Sequence, residues 1–344
     1  MTITVGIAGI TGKFARLLTT ALLQYPDVNI HGLARTPSKL PSQITNNPRI
    51  TLTQGDAFNK AAITSFARGC SVLVCCYLGD ENLMVTGQKI LIDTCEELCI
   101  PRYIASDWAL EYTRLNLGDL FPGDPMIKIK AYLETKEHVE GVHILIGGFM
   151  EPILSPFFDI FDSKSCTLRF WGTGGEVLEG TTYRNAAEFT AAVVRDENAR
   201  GVVKFLGGRA TIHEIAQSFE KVYGVQVKLE SRGSLDDLYK TMHKKREEKP
   251  EDVYSYLAMY DCPFAGFGLT TAIVVSSLTC YWSLLILQSA NPRLGRFFYY
   301  YWVNGRTFVG PKTDNERYLE VKPVSWEGYM RQWPLEKLPT SFSA

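Results

Sequence analysis

Three sets of residues in this chain have the types and spacing to do chemistry. The first is Gly9-Ile-Thr11-Gly12-Lys13-Phe14-Ala15, which follows the β-branched run Ile3 to Ile7 and opens an apolar helical pattern near Phe14. A glycine at the first position permits a tight strand-to-helix turn, and a glycine at the second lets backbone come against a pyrophosphate. The small Ala15 lets the helix pack closely on the strand. Phosphates would rest on the free N–H groups and positive dipole end of the new helix. An ordinary strand–turn–helix is the bland alternative, but a turn that begins at residue 9 between a strand and a helix favours dinucleotide binding.

The second set is Arg35 with Lys39, just beyond the strand-like run Asn29 to Ala34. Sites that prefer NAD place an acid at this strand end for the ribose hydroxyl, whereas a basic pair suits a 2′-phosphate, so the expected cofactor is NADP(H). A solvated basic turn is the competing reading. The third set ends later apolar runs: Asp56 after Ile50 to Gly55, where adenine edges are commonly met, Tyr77 after Ser71 to Cys76, and Ser106 with Asp107 after Arg102 to Ala105.

These positions acquire meaning from the elements that must hold them. Strand-like runs alternate with helical ones through the first 150 residues, and Ser71 to Tyr77 is continuously apolar, as parallel strands buried on both faces are. The pattern predicts an α/β fold, a doubly wound parallel Rossmann sheet with right-handed crossovers and a smaller, interleaved substrate domain. Ligands of such sheets bind beyond the carboxyl ends of the strands, which gathers Tyr77, Ser106 and Asp107 at the site. The expected division is 1–150 with 200–225 returning to it, against 151–199 with 226–335.

The turn Gly9-x-Thr11-Gly12-x-x-Ala15, the basic Arg35, the helix start Gly87-Gln-Lys-Ile-Leu-Ile-Asp93 and the run Pro101-Arg-Tyr-Ile-Ala-Ser-Asp107 together resemble the NmrA-like and isoflavone-reductase-like group of atypical short-chain dehydrogenases. The resemblance covers residues 1 to about 225 and returns from Gly305 through Met330. It implies NADPH-dependent reduction of a small, often aromatic or alkaloid-like molecule, with Gln88 beside the cofactor and a substrate pocket after the sixth strand, where Phe149 and Met150 lie. Phe157 and Phe158 extend that apolar stretch, and each of these four could equally be plain core. Asn185 stands where the family often has an Asp that locks the small domain to the large one.

Short-chain dehydrogenases usually carry Tyr-x-x-x-Lys, and Tyr132-Leu-Glu-Thr-Lys136 is a literal copy. Asp124-Pro125 reads as an N-cap and first helical residue of a helix reaching about Glu140, with Gly141 ending it. A crossover helix descends from the ligand edge, so Lys136 lies in its final turns, roughly 9 Å below Lys130. Lys130-Ala131 stands eleven residues before Gly141, as a Lys-Ala does in isoflavone-reductase-like proteins, where the lysine is the proposed acid/base or nicotinamide-ribose contact. Lys130 is therefore the catalytic candidate, with Ser106 or Asp107 holding the substrate. Lys128, which shares a helix face with Tyr132, is its rival, and a solvated helix-face lysine is the bland reading.

A formal net charge of −1 and the mixed signs of Lys244 to Lys249 argue against nucleic acid as a direct ligand. The eight cysteines contain no CxxC and show no metal-ligand spacing with the five histidines, so no metal is expected. Adjacent Cys75 and Cys76 in an apolar run suit a reducing compartment, and a strand at the N-terminus in place of a signal peptide suits the cytoplasm. One stretch breaks the pattern: from Cys262 to Pro292 there is no charge, and Leu269 to Leu287 is long enough to span a bilayer. A lid or buried helix, a membrane helix and translated intron sequence over 261–298 all remain open. Functionally, an NADPH-dependent reductase leads. A non-catalytic NADP(H)-sensing regulator that binds a protein partner competes with it, and a redox-neutral isomerase or cyclase is a third possibility.

Overall fold

The computed structural model describes residues 2–155, 158–248 and 292–343. Seven strands form one sheet: β1 (Ile3–Ala8), β2 (Val28–Ala34), β3 (Ile50–Gln54), β4 (Val72–Cys75), β5 (Arg102–Ile104), β6 (Glu140–Leu145) and β7 (Gly201–Lys204). Their spatial order is β7-β6-β5-β4-β1-β2-β3, and every neighbouring pair is parallel. Between them run α1 (Lys13–Leu22), α2 (Ser42–Thr45), α3 (Lys60–Ala67), α4 (Gln88–Glu97) and α5 (Asp124–Leu133), and α6 (Tyr183–Arg195) precedes β7. This is a Rossmann-like α/β fold. β1 pairs with β2 on one side and β4 on the other, so the chain reverses its direction of winding there and leaves a crevice at the carboxyl ends.

The strands read as apolar runs because helices cover both faces. All of β4 is buried, as is the second half of β1. Leu73, Cys75, Tyr103 and Ala105 pack with Phe66, Leu91, Ile129 and Leu133 into one cluster.

Helix α5 departs from expectation. It stops at Leu133, well short of Glu140, and Lys136 lies beyond its end. The cause is tertiary: the Glu96 carboxylate on α4 accepts the backbone N–H groups of Glu137, His138 and Val139, which fixes that segment outside a helix. Gly141 belongs to β6 and does not end the helix. A Cβ there would come within 2.9 Å of Leu133 Cδ1, so glycine allows the last turn of α5 to close on the strand. Nor does Asp124 cap the helix; its carboxylate accepts the N–H of Gly118 at 2.9 Å.

Two compact units emerge. One comprises Met1–Gly148, Gly180–Gly207 and Thr307–Val324, and the other Phe149–Glu179, Gly208–Arg306 and Ser325–Ala344. The sequence pattern places 151–199 and 226–335 in the smaller domain and returns 200–225 to the larger. Helix α6 instead packs along α1, burying Ala186, Phe189 and Val193, and Arg102 on β5 donates to the carbonyls of Val193, Val194 and Asp196 at its end. The helix Ile212–Tyr223 belongs to the second unit, where it packs against Trp326–Met330.

Within the sheet unit, Thr307–Val324 lines the open edge beyond β7. Asp314 N donates to Lys204 O at 2.7 Å, Lys204 N to Asp314 Oδ2 at 2.8 Å, and the Asn315 amide bonds both N and O of Leu206. An edge that would otherwise offer a template to another chain is thereby closed. Asn185 reaches the same segment, donating to Lys322 O and accepting from Val324 N.

In the second unit, strand Thr167–Phe170 lies between Phe161–Asp162 and Lys228–Ser231. The anomalous stretch at 261–298 lies outside the described residues as far as 291, and Pro292–Val303 is a helix. Among the described residues no helix is long and apolar enough to cross a membrane.

Candidate functional site

The turn after β1 is built for an anion. Gly9 has φ +79°, in the left-handed region that glycine enters without strain, and a Cβ on it would sit 3.0 Å from Cys76 O. Gly9 N bonds Leu33 O on β2, and Gly12 N closes back on Gly9 O at 2.9 Å. Gly12 is the N-cap residue of α1. No side chain caps this helix and its first turn contains no acid, so the positive end of its dipole is not offset from within the helix. Ala15 is fully buried, as the close packing of helix on strand requires. A pyrophosphate fits this cradle. Of the other turn residues, Phe14 packs on Trp108 with ring centroids 4.2 Å apart and the planes tilted by 44°, and Lys13 Nζ lies 4.8 Å over the Tyr183 ring.

Arg35 and Lys39 are exposed at the end of β2. Gln54 Nε2 donates to Arg35 O at 3.2 Å, which ties this corner to β3. Asp56 is exposed beyond β3, and its Oδ1 takes the N–H of Phe58 at 2.8 Å.

Past β4 the chain enters a turn and then a π-helix, Asn82–Gly87, that leads into α4. π-Helical turns are rare and tend to occur at functional sites. Gln88, expected beside the cofactor, is buried and committed to the protein: its Nε2 donates to Met84 O, and its Oε1 accepts from Tyr103 OH and Ser106 N. It acts as a brace between the π-helix and the loop after β5. Ser106 is likewise engaged, its Oγ donating to Tyr77 O at 2.5 Å.

Asp107 stands in a buried cluster that the sequence did not reveal. Its Oδ2 accepts from His143 Nδ1 at 2.7 Å and from Tyr112 OH at 3.0 Å. Its Oδ1 is buried without a hydrogen-bond partner among the described residues. Burial, and then the Asp107 carboxylate, drive the Tyr112 phenol far above its ordinary value. Trp108, next in the chain, has φ 42° and donates its indole N–H to Thr190 on α6 at 2.9 Å. Only a local cost of strain permits a tryptophan there.

The lysines separate. Lys130 is ion-paired with Glu134, one turn along α5, in a partly exposed position. Lys128 is paired with Glu81. Tyr132 and Lys136 do form a couple, 3.1 Å apart, but both converge on Asp93 of α4, each at 2.6 Å. Burial works against the Asp93 carboxylate, yet the hydrogen bonds from Lys136 and Tyr132 outweigh it and hold its carboxyl below the ordinary value. This couple clamps α5 to α4. Phe149 and Met150 fall in the second unit, where Phe149 is half-buried and Met150 is fully buried. Phe158 stacks edge-on against Trp302, and Phe157 lies outside the described residues. Among the described residues no cluster of His, Cys, Asp or Glu is arranged to hold a metal.

A Rossmann-like sheet with a glycine turn at its switch point defines a nucleotide-binding α/β protein. Residues 9–142 match the model of the NAD(P)H-binding family. No curated sequence is significantly similar to the chain. In fold it is similar to a structure of AtPrR2 with NADP+ and (+)-pinoresinol, at TM-score 0.70 and 14% identity over 97% of this chain and 99% of the other. An isoflavone reductase structure gives TM-score 0.68 and 16% identity, covering 96% and 99%. The binary complex of leucoanthocyanidin reductase with NADPH from Vitis vinifera gives TM-score 0.67 and 14% identity, covering 96% and 98%. At these identities the likeness is one of fold.

Proposed function

We propose that the chain is an NADPH-dependent reductase of a small, largely apolar metabolite. The observation that carries the reading is the uncapped, acid-free N-terminus of α1 behind Gly9 and Gly12, with basic Arg35 and Lys39 at the end of β2 where an acid would favour NADH. The turn, with Thr11 and Lys13, would hold the pyrophosphate, Arg35 and Lys39 the 2′-phosphate, and Asp56 the adenine edge. When bound, the cofactor supplies a hydride from C4 of its nicotinamide to a carbonyl, imine or conjugated double bond. The chain must then position that acceptor and provide a proton. Ser106 and Asp107 stand at the carboxyl end of β5 for the first task. Lys130 is the candidate for the second, once it parts from Glu134, and an exposed i,i+4 pair costs well under about 1 kcal/mol to break.

One observation favours a second reading, an NADP(H)-sensing protein that catalyses nothing: Lys130, Ser106, Asp107 and the Tyr132–Lys136 couple all have protein partners. Fluorescence titration with NADPH and NADH, on wild type and on Arg35→Ala, tests what both readings share. Preference for NADPH that narrows in the variant is expected; binding of neither nucleotide overturns them. Turnover of NADPH against a panel of aromatic carbonyls and imines, lost in Lys130→Ala, separates the enzyme from the sensor.

A further inference from the structure

Tyr77 is the first side chain past Cys76 at the carboxyl end of β4, and it is wedged between the phosphate turn and the π-helix. Its Cδ1 lies 3.2 Å from where a Cβ on Gly9 would stand, and its Cε2 lies 3.5 Å from where a Cβ on Gly87 would stand. The methyl of Ala57, the residue after Asp56, approaches that second point to 3.3 Å. The ring therefore spans from the glycine turn to the loop that carries Asp56. Arg35 and Asp56 both act on the phenol electrostatically, in opposite senses.

The two polar groups of Tyr77 fare differently. Its carbonyl accepts from Ser106 Oγ. Its hydroxyl, on a residue only 8% exposed, has no hydrogen-bond partner among the described residues. Phenylalanine would fill the same room without leaving a buried donor unsatisfied, and such groups in native proteins call for an explanation. Tyr77 follows β4, and Arg35 and Asp56, whose charges reach its phenol, follow β2 and β3; in this fold an acidic or arginine side chain in that region meets the adenosine ribose or its 2′-phosphate.

We propose that the Tyr77 hydroxyl is a hydrogen-bond donor to an oxygen of the adenosine ribose or its 2′-phosphate. This rests on the dinucleotide-binding reading above and adds a specific contact to it. Pairing needs a small outward tilt of the ring, which breaks no hydrogen bond of the hydroxyl.

The test is Tyr77→Phe, with calorimetric titration of 2′,5′-ADP and 5′-ADP and thermal melting of the nucleotide-free proteins. Expected are binding of 2′,5′-ADP weakened roughly tenfold and a melting temperature of the free variant unchanged or raised. Weakening of 2′,5′-ADP alone assigns the contact to the 2′-phosphate, and weakening of both ligands assigns it to the ribose. A hydroxyl that serves only the fold gives the opposite sign, with the free variant melting lower, and that result overturns the proposal. So does an unchanged affinity. If wild type binds 2′,5′-ADP, Arg35→Ala weakens it and Tyr77→Phe does not, the Tyr77 contact falls and the cofactor reading stands. If wild type binds neither ligand, both fall.

Discussion

Asp107 shows what a strand-end position can and cannot tell. Its place after β5 was legible from the apolar run Arg102 to Ala105. Its partners were not, because His143 is a single histidine within a buried strand end and Tyr112 opens a single short 3-10 turn, Tyr112–Arg114, and neither has a spacing that announces a pairing. With two donors on one oxygen, Asp107→Asn leaves at least one of them poorly matched. The loss in unfolding free energy, read by urea denaturation, should be about 1–3 kcal/mol. Gly9 was legible outright, since the turn it makes needs a positive φ. Gly9→Ala must place a Cβ against Cys76 O in a left-handed conformation that costs about 1–2 kcal/mol, so the variant should melt lower and lose nucleotide binding in fluorescence titration.

Helix α5 was legible as a helix but not in its length. The run Glu134 to His138 has no proline or glycine to stop a helix, and the segment is held instead by Glu96, which accepts three backbone N–H groups from more than forty residues away in sequence. A comparable tertiary bond ties β7 to the loop after β5, where the buried Glu111 carboxylate pairs with Lys204 and accepts from Thr113. Burial opposes ionisation of Glu111, but the hydrogen bonds from Lys204 and Thr113 prevail and hold its carboxyl below the ordinary value. Such a group contributes its full stability above the unfolded-state value, about 4.3, and loses it as pH falls through the lower folded-state value. Glu111→Gln should therefore be clearly less stable than wild type at neutral pH, and urea denaturation in acid well below that value should show the gap closing.

The doubly wound parallel class of the sheet was legible because alternating runs and crossover handedness leave few topologies, whereas its seven-strand order came only from the structure. The return of Thr307–Val324 to the sheet unit was not legible: the sequence places 226–335 in the smaller domain, and a family resemblance resuming at Gly305 does not say which unit the segment joins. That segment has no helical or strand period, and it is held by single Asp and Asn side chains bonding distant backbone. Binding should act on the molecule as a whole: NADPH at about a hundred times its Kd should raise the unfolding free energy by about 2.7 kcal/mol, and NADH at the same concentration by less. Parallel denaturation curves with each nucleotide would show the difference.

The edge strip beyond β7 also sets an order of synthesis. A ribosome that has finished Lys204 has made every strand of the sheet, yet about a hundred residues of the other unit must follow before Asp314, Asn315, Lys322 and Val324 emerge. Until then the sheet has a bare edge and Asn185 lacks its two backbone partners. A nascent or truncated chain is thus exposed to strand-to-strand aggregation at a stage when its sheet is already fully encoded. A fragment ending at Gly207 should melt less cooperatively than the full chain by circular dichroism, and adding a peptide of residues 307–324 should restore part of the loss.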